Sequence, residues 1–357
     1  MKHLHIANTF FEWELTEKEV PDLLKAFEQH PVFLQLQFLP FLYGGKEDAV
    51  GISHLPPQDY WKYFSTIGIN PPEPFVLSTK KTFPFENIES WGASRSIDAW
   101  SAQRGIDYPK PPWEIVKKVN SKEFSFLNSP RLPFAALLHN ELEAQEWLKN
   151  QIGPRVLKTC FGMSGRGHLL ITDETIQSEK ISLFIKRAEK NHLPVIAEPW
   201  VKRVMDFSTQ WQIEKSKEIY YFGATCCEND ARGTYRSNQV GPESQIFKER
   251  LDFLETHKTY AIDLLSRIAE LGYFGNVGFD AMLYEQEGKT LLHPIVEINA
   301  RKTMGWVALM LQRLYFPDRL ITMKYEAKSE NKQGLLPEFL ELKGKCLHFR
   351  KQLYLEL

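Results

Sequence analysis

Cysteine is scarce in this chain of 357 residues, and its four cysteines, Cys160, Cys226, Cys227 and Cys346, lack the spacing of a metal site. Cys226 and Cys227 are adjacent in sequence, which makes them a poor disulfide pair. This usage argues against a disulfide framework and fits a reducing compartment. We therefore expect a cytoplasmic protein.

Long hydrophobic runs and an excess of one charge are also missing. No apolar run approaches the ~18 residues needed to span a bilayer, and residues 1–15 contain no uninterrupted apolar segment of a signal peptide. The formal net charge is −1, whereas a general nucleic-acid binder has a basic excess. We therefore expect neither a membrane nor a nucleic acid as partner. A net charge near zero is compatible with a locally basic pocket that binds phosphate.

The length and composition are those of a globular protein with more than one core. The chain is too long for one ordinary hydrophobic core, so two or three subdomains are expected. Residues 1–115 mix short apolar runs with turns, which indicates a small α/β domain. Within it, helical spacing of apolar residues predicts helices over residues 17–29, 59–67 and 96–104.

The most informative stretch is residues 291–301, Leu-Leu-His-Pro-Ile-Val-Glu-Ile-Asn-Ala-Arg. Its first part is apolar and rich in β-formers, which predicts a buried strand. Because side chains alternate along a strand, Glu297, Asn299 and Arg301 share one face. Carboxylate and amide oxygens suit Mg²⁺ that carries a polyphosphate, and an arginine suits charge on a transferring phosphoryl group. The alternative is a strand-end salt bridge with a capping asparagine.

A polar turn at residues 286–289 predicts that this strand forms a hairpin with the strand before it. Normal pairing brings Asp280 close to Glu297 at the open end of the hairpin. Two carboxylates there repel each other and raise one pKa unless a cation lies between them. This pair is either a divalent-metal site, or two carboxylates of which one forms an ion pair and the other is exposed to solvent.

A second informative stretch is a glycine-rich loop between two predicted strands, 155–160 and 169–172. Gly162, Gly165 and Gly167 permit positive φ and close backbone approach, and successive N–H groups in such a loop can cradle an anion. Ser164 adds a hydroxyl, and Lys158 lies in the preceding strand. The sequence matches neither a P-loop nor a dinucleotide fingerprint. A tight glycine hairpin without a ligand is the alternative.

Further helices are predicted over residues 140–150, 179–191, 245–271 and 306–314 from their apolar spacing. Leu142, Ala144 and Trp147 are expected on the buried face of the first of these. Residues 226–242 form a long polar segment that is predicted to be a loop. It is either a surface loop or a substrate loop, and Arg232 and Arg236 are its candidate carboxylate clamps.

Taken in order, five pieces of the sequence resemble the ATP-grasp superfamily of carboxylate–amine ligases. They are Val-Leu-Lys158-Thr with the glycine loop 162–167, Ala-Glu198-Pro-Trp-Val201, Asp206-Phe-Ser, Gly-Phe-Asp280, and Glu297-Ile-Asn299-Ala-Arg301. The last piece resembles the metal-binding strand of D-alanine–D-alanine ligases, and its arginine resembles that of biotin carboxylase. The resemblance covers roughly residues 115–312.

The resemblance implies an ATP-grasp fold, with two α+β subdomains that sandwich ATP, preceded by an α/β N-terminal domain. The implied boundaries are residues 1–115 for the N-terminal domain, 116–200 for the small lid subdomain, 201–325 for the large subdomain with the metal site, and 326–357 for a C-terminal tail. The implied reaction makes an amide bond through an acyl-phosphate, from the carboxylate of an amino acid or peptide and an amine. A homodimer is left open, because many relatives are dimers.

The resemblance also implies a role for each site residue. The ATP-contacting residues would be Lys122, Lys158, Gly162, Ser164, Gly165, Gly167, Glu198, Trp200, Val201 and Asp206. Two Mg²⁺ ions, with Mn²⁺ as a substitute, would be held by Asp280, Glu297 and Asn299. D-Alanine ligases carry an arginine two residues before the first metal aspartate, where this chain has Gly278, so Arg301 or Arg236 would take that catalytic role. A nucleotide-binding protein or phosphotransferase of the same fold, without ligase activity, is the alternative.

Overall fold

The computed structural model describes residues 3–79, 85–162, 167–172, 179–229 and 235–357. Its first part is a four-stranded parallel sheet with the order β3-β2-β1-β4. The strands are β1 His3–Ile6, β2 Ala49–Ile52, β3 Glu73–Val76 and β4 Asn87–Ser90. The helices around this sheet are α1 Phe11–Glu14, α2 Leu23–Glu28, α3 Pro31–Leu36, α4 Tyr60–Thr66 and α5 Arg95–Ala102, with a 3-10 helix at Leu39–Leu42. An aromatic-rich core that includes Phe10, Phe27, Phe38 and Phe41 packs against the sheet.

The second part is a four-stranded antiparallel sheet with the order β5-β8-β6-β7. The strands are β5 Ala136–Leu138, β6 Arg155–Thr159, β7 His168–Ile171 and β8 Val195–Pro199. Two helices, α8 Glu141–Lys149 and α9 Glu179–Lys190, cover one face, and α6 Trp113–Val119 and α7 Lys122–Asn128 lead into the sheet. This layer has an apolar core of its own, formed by residues such as Trp147, Leu157 and Ile185.

The third part is a seven-stranded antiparallel sheet with the order β13-β12-β9-β10-β11-β14-β17. Its strands are β9 Lys202–Ile213, β10 Ile219–Asn229, β11 Tyr235–Val240, β12 Gly275–Gln286, β13 Lys289–Asn299, β14 Ile321–Ala327 and β17 Lys351–Glu356, and β15 Phe339–Leu342 and β16 Lys345–His348 form a separate hairpin. The helices are α10 Glu243–Phe247, α11 Leu251–Glu270 and α12 Met304–Tyr315, with a 3-10 turn at Lys248–Arg250. The α/β and α+β architecture predicted from the sequence is confirmed, whereas the domain boundaries at residues 115, 200 and 325 stay predictions.

Three local predictions were wrong. The helix expected over residues 17–29 begins only at Leu23, because the Asp22 side chain caps it by accepting from the Lys25 N–H. The helix expected over residues 245–271 is interrupted at Lys248, whose φ of 49° breaks helical geometry. Most of the loop expected over residues 226–242 is the β10–β11 hairpin, in which Cys226 pairs with Gln239.

The buried face of α8 and the turn between β12 and β13 can be compared with the sequence predictions. Of the three residues expected on the buried face of α8, Ala144 and Trp147 are buried, but Leu142 is exposed. Glu287 and Gly288 both have positive φ, as the tight turn between β12 and β13 requires.

Within the described ranges, no helix has both the length and the hydrophobicity needed to cross a membrane.

Candidate active site

A cavity of about 450 Å³ lies where the three parts of the molecule meet. The N-terminal part contributes Thr9, Glu12 and Trp91, among other residues. The second sheet contributes residues on both sides of the glycine loop, and the large sheet contributes the polar ends of β9, β12 and β13. The cavity residues from these two sheets include Lys158, Gly162, His168, Arg203, Asp206, Ser208, Asp280, Glu297, Asn299 and Arg301.

The end of β13 has the alternation predicted from its sequence. Glu297, Asn299 and Arg301 line the cavity, while Ile298 and Ala300 are buried in the core. The Asn299 side chain is held from both sides, because its Nδ2 donates to Asp280 Oδ2 at 2.9 Å and its Oδ1 accepts from Arg301 Nη2 at 2.8 Å. The face that the sequence predicted is therefore present as one connected polar row.

The two carboxylates predicted to meet at the end of the hairpin are cross-strand neighbours, since Asp280 pairs with Glu297 in the register of β12 and β13. Burial, together with the charge of Glu297, raises the pKa of Asp280 to about 6. Two carboxylates and an amide oxygen are hard donors, and Mg²⁺ usually binds through one or two carboxylates together with substrate phosphates. The donor set therefore fits magnesium. Among the described residues, no group of three or more His, Cys, Asp and Glu side chains is placed to hold a metal ion.

Lys122 lies at the first turn of α7, where Ser121 caps the helix by accepting from the Phe124 N–H. Its Nζ donates to Glu297 Oε1 at 2.6 Å and to the Gly162 carbonyl at 3.3 Å. Burial lowers the pKa of Lys122, but the Glu297 carboxylate outweighs it, so the pKa is raised overall. The same contact lowers the pKa of Glu297 against the opposing effect of burial. Lys122 therefore joins the glycine loop to the carboxylate row.

Lys158 and Glu198 form a second buried pair, with Nζ and Oε2 2.5 Å apart. They lie on the neighbouring antiparallel strands β6 and β8 and also line a smaller cavity of about 20 Å³ with Lys122. Burial, and then the charge of Lys158, lowers the pKa of the nearby His168 to about 4, so this imidazole is neutral at neutral pH. The cavity wall at β6 and β7 thus holds one cation balanced by one carboxylate.

Three further residues that the resemblance assigns to nucleotide binding, Trp200, Val201 and Asp206, differ from one another in their contacts. The Trp200 N–H donates to the Pro154 carbonyl at 2.8 Å, so a ligand could reach only other backbone groups of this residue. Val201 packs in an apolar cluster with Leu132 and Met282. Asp206 lines the cavity, and its Oδ2 accepts from both Arg203 and Asn229 at 3.1 Å.

Within the glycine loop, the structure describes Gly162 and Gly167 but not Ser164 and Gly165, which lie outside the described residues. Gly167 has a φ of 88°, and a Cβ there would lie 2.4 Å from Thr159 Oγ1. Both the backbone conformation and the close approach therefore require glycine at this position. The anion-cradling role of the loop stays a prediction.

The two arginines proposed as catalytic lie in different environments. Arg301 lines the cavity and forms an ion pair with Glu12 of α1, which links β13 to the N-terminal part. Arg236 is exposed on β11 and is not among the residues that line the cavity. The geometry supports Arg301 for a role in the cavity and gives no support to Arg236.

Similar solved structures share this architecture. No protein-family model matches the chain, and no curated protein matches its sequence. The biotin carboxylase of Campylobacter jejuni, in a β,γ-ATP complex, aligns with a TM-score of 0.56 at 12% identity over 95% of this chain and 78% of that one. The phosphoribosylamine–glycine ligase of Thermotoga maritima aligns with a TM-score of 0.54 at 14% identity over 99% of this chain and 90% of that one.

A third similar structure is the biotin carboxylase domain dimer of the Hydrogenobacter thermophilus 2-oxoglutarate carboxylase, in complex with magnesium ADP, ADP and bicarbonate. It aligns with a TM-score of 0.53 at 13% identity over 99% of this chain and 85% of that one. The chain has the ATP-grasp fold. At these identities the likeness establishes the ATP-grasp architecture and no more.

Gly278 marks a local departure within this ATP-grasp fold. A Cβ on Gly278 would lie 2.8 Å from Thr303 Cγ2 and 3.0 Å from Gln210 Oε1. Thr303 is held in place because its hydroxyl donates to Gln210 and caps α12. A side chain as large as arginine therefore cannot be accommodated at position 278 without movement of these neighbours, and the guanidinium next to Asn299 is that of Arg301.

Several cavity residues were missed by the reasoning from sequence. Thr9 and Glu12 follow β1 in a region where no chemical motif was recognised, and Asn238 lies in the segment predicted to be a loop. One signal was available: polar residues directly after the first strand of a parallel sheet lie at its carboxyl edge, where ligands bind. His168 also had a signal, since it directly follows the last glycine of the loop.

Proposed function

We propose that the protein is an ATP-dependent carboxylate–amine ligase that forms an amide bond through an acyl-phosphate. One observation carries the proposal: Asp280, Glu297 and Asn299 face one cavity together with Lys158, His168 and Arg301. The three oxygen-bearing side chains suit a metal–phosphate complex, and the cationic Lys158 and Arg301 suit phosphate and carboxylate substrates. The ATP-grasp fold agrees with this chemistry.

In the proposed complex, ATP occupies the space between the second sheet and the large sheet. Lys158 and Lys122 would contact its phosphates, with Gly162, Ser164, Gly165 and Gly167 closing over them. The adenine and ribose would meet Glu198, Trp200, Val201 and Asp206. Because the Trp200 N–H already donates to Pro154, the adenine contact falls to the carbonyl of Trp200 or to the backbone of Val201.

Asp280, Glu297 and Asn299 would hold two magnesium ions. When bound, magnesium neutralises charge on the transferring phosphoryl group and orients it. Lys122 then has two roles, because it balances Glu297 and holds the start of the glycine loop through the Gly162 carbonyl. Movement of this loop toward the substrate would exclude water from the acyl-phosphate.

Arg301 would orient the substrate carboxylate and stabilise the negative charge of its acyl-phosphate. The amine then attacks the carbonyl carbon, the new C–N bond forms, and phosphate leaves with the electron pair of the broken C–O bond. A carboxylate is a poor electrophile before phosphorylation, so positioning and charge are the main contributions of the protein.

A nucleotide-binding protein or phosphotransferase without ligase activity is the alternative, because Gly278 stands where D-alanine ligases have an arginine and because residues 226–242 have no assigned role. The packing around Gly278 weakens that reading, since Arg301 supplies a guanidinium to the same cavity. The two functions differ in one observable. A ligase releases phosphate only when both a carboxylate and an amine are present and yields an amide, whereas a phosphotransferase yields a phosphorylated product without an amine.

The test combines binding and turnover on the full chain. Mg-ATP should raise the melting temperature, and a screen of amino-acid pairs with Mg-ATP should give phosphate together with an amide detected by mass spectrometry. Glu297→Gln should lower phosphate release by at least about 100-fold. Glu285→Gln, at the exposed far end of the same hairpin, should leave it unchanged. Full turnover in Glu297→Gln, or ADP formation that never depends on an amine, would overturn the proposal.

A further inference from the structure

The cavity extends past the proposed ATP site to a wall built by the N-terminal part of the chain. This wall is predominantly apolar. Its apolar side chains are Phe11, Val32, Phe33, Leu36 and Trp91, and Met304 at the start of α12 lies on the same cavity. Phe11, Phe33 and Trp91 are themselves at least nine-tenths buried, so they form a fixed surface.

Two buried oxygens and the imidazole of His30, whose Nδ1 accepts from the Val32 N–H at 3.1 Å, interrupt this apolar wall. The side-chain oxygen of Thr9 and Oε2 of Glu12 are both buried, and neither has a hydrogen-bond partner. Glu12 Oε1 accepts from Arg301, so one oxygen of this carboxylate is engaged and the other is available. Buried acceptors without partners are rare, because leaving one unsatisfied costs ~1–3 kcal/mol. Thr9 and Glu12 are therefore suited to receive hydrogen bonds from a ligand.

The charges of the cavity disfavour an anionic group beside Thr9 and Glu12. Among the described residues that line it between positions 9 and 91, none is lysine or arginine. Elsewhere in the cavity, Lys158, Arg203 and Arg301 are each paired with a carboxylate, and the Nζ of Lys351 lies 5.2 Å from the centroid of the Tyr325 ring. A phosphate or carboxylate beside Thr9 and Glu12 would meet the negative charge of Glu12. A cationic group with an apolar body matches both the carboxylate and its surroundings.

We propose that this wall binds the amine substrate, and that this substrate is a primary amine with a bulky apolar group and no carboxylate next to the amine, as in phenethylamine or isoamylamine. The inference rests on the proposed ligase function and names one of its substrates. The ammonium donates to Glu12 Oε2 and Thr9 Oγ1, and the apolar group packs against Phe11, Phe33 and Leu36. Because Glu12 also holds Arg301, the amine lies beside the guanidinium that orients the acyl-phosphate.

The position of Glu12 also accounts for the protons of amide formation. The ammonium transfers one proton to the Glu12 carboxylate and becomes a neutral amine with a free electron pair. That pair forms the C–N bond while the C–O bond to phosphate breaks and phosphate departs. The second proton of the attacking nitrogen leaves with the phosphate, so charge and atoms balance.

The test measures binding to the full chain by calorimetry, with and without saturating magnesium and a non-hydrolysable ATP analogue. Phenethylamine and isoamylamine are the probes, with glycine, glutamate and ribose 5-phosphate as comparisons. The two apolar amines should bind at least about tenfold more tightly than the comparison compounds, as a charge-assisted hydrogen bond in an apolar site predicts. Tighter binding of ribose 5-phosphate or glutamate, or no binding of the apolar amines in either condition, would overturn the proposal.

Two variants separate the polar and apolar parts of the site. Glu12→Gln should weaken phenethylamine binding by at least about tenfold, while the exposed Glu19→Gln in the same segment should not. Leu36→Ala keeps the carboxylate and should weaken both amines without improving glycine. An unfolding curve for each variant shows whether it is folded. Unchanged amine affinity in folded Glu12→Gln would refute the assignment.

The two proposals can fail independently in this design. Binding of the ATP analogue is measured in its own titration and reports on the nucleotide site. If the analogue binds and the apolar amines do not, only the substrate assignment is lost. If the amines bind and the analogue does not, the ligase proposal fails, and the wall binds amines without their being substrates of a ligase.

Discussion

The Lys122 ammonium lies 2.6 Å from the Glu297 carboxylate, across 175 positions of the sequence. Lys122 belongs to α7, which leads into the second sheet, and Glu297 to β13 of the large sheet, so the pair joins the two layers. The lysine side chain is 7% exposed and the carboxylate 25%. Each charge therefore depends on the other while it is largely removed from water.

Lys122→Met should destabilise the protein, because it leaves Glu297 without its cation. Breaking a fully buried ion pair costs ~3–5 kcal/mol, and the partial exposure of Glu297 reduces the expected loss to about 2 kcal/mol. The double variant Lys122→Met/Glu297→Gln removes both charges and should recover most of that stability without recovering phosphate release. Urea unfolding and a phosphate assay measure the two effects separately.

The exposed Lys118 provides the control, and Lys118→Met should behave as the unmodified protein in both assays. Equal stability of Lys122→Met and Lys118→Met would mean that the pair contributes nothing to the fold. Recovery of phosphate release in the double variant would show that neither charge is needed for the chemistry.

Gly278→Ala should destabilise the large sheet even though it adds a single methyl group. Its Cβ would lie 2.8 Å from Thr303 Cγ2, and Thr303 is fixed by its contacts with Gln210 and α12. Overpacking of this kind costs ~1–3 kcal/mol. The unfolding free energy measures it, and Gly288→Ala is a comparison of another kind, because Gly288 has open space but a φ of 74°. A Gly278→Ala protein as stable as the unmodified one would show that the neighbours can move.

Glu14→Gln should lower stability by disrupting a fully buried carboxylate. Glu14 Oε1 accepts from the N–H groups of Arg95 and Ser96 at 2.7 and 3.1 Å, and Oε2 accepts from the hydroxyls of Ser94 and Ser96 at 2.7 and 2.9 Å. A glutamine presents an N–H₂ group where one of these oxygens accepts, which costs about 2 kcal/mol. Chemical unfolding measures the change, with Glu17→Gln as the matched control. A loss no larger than in the control would contradict this prediction.

The end of the β12–β13 hairpin could be predicted from sequence because local rules determine it. The turn residues fixed the register, and strand alternation then placed Glu297, Asn299 and Arg301 on one face. The pairing of Asp280 with Glu297 follows from the same register. These are contacts between neighbouring strands, and a short-range pattern is enough to specify them.

The other half of the cavity could not be predicted, because it depends on long-range packing. Glu12 meets Arg301 across 289 positions, and no local pattern marks that contact. The β10–β11 hairpin was also missed: Asn238 is buried with its Nδ2 bonded to Thr225, so a polar strand was mistaken for a loop. Strands whose polar side chains face a cavity lack the alternation on which the prediction relies.

His257 is a fully buried histidine whose hydrogen bonds fix its neutral form. Its Nδ1 donates to the Pro294 carbonyl at 2.7 Å, because a carbonyl can only accept. Its Nε2 therefore accepts from the Thr209 hydroxyl at 2.7 Å, and that oxygen in turn accepts from Trp211 Nε1 at 2.8 Å. A proton on Nε2 would make this nitrogen a donor to the Thr209 hydroxyl and leave the Thr209 hydrogen without an acceptor.

The stability of the protein should consequently fall as the pH decreases through the histidine range. Burial lowers the pKa of His257 from an ordinary 6.5 to about 4, so the folded state resists a proton that the unfolded chain accepts. The stabilisation is complete above pH 6.5, decreases between 6.5 and 4, and amounts to about 3 kcal/mol. Urea unfolding at a series of pH values should show this slope, and His257→Gln should make it shallower without abolishing it, because burial also lowers the pKa of His168 and of His293 to about 4. The exposed His139→Gln should keep the slope, and an equal slope in His257→Gln would mean that other groups carry the acid sensitivity.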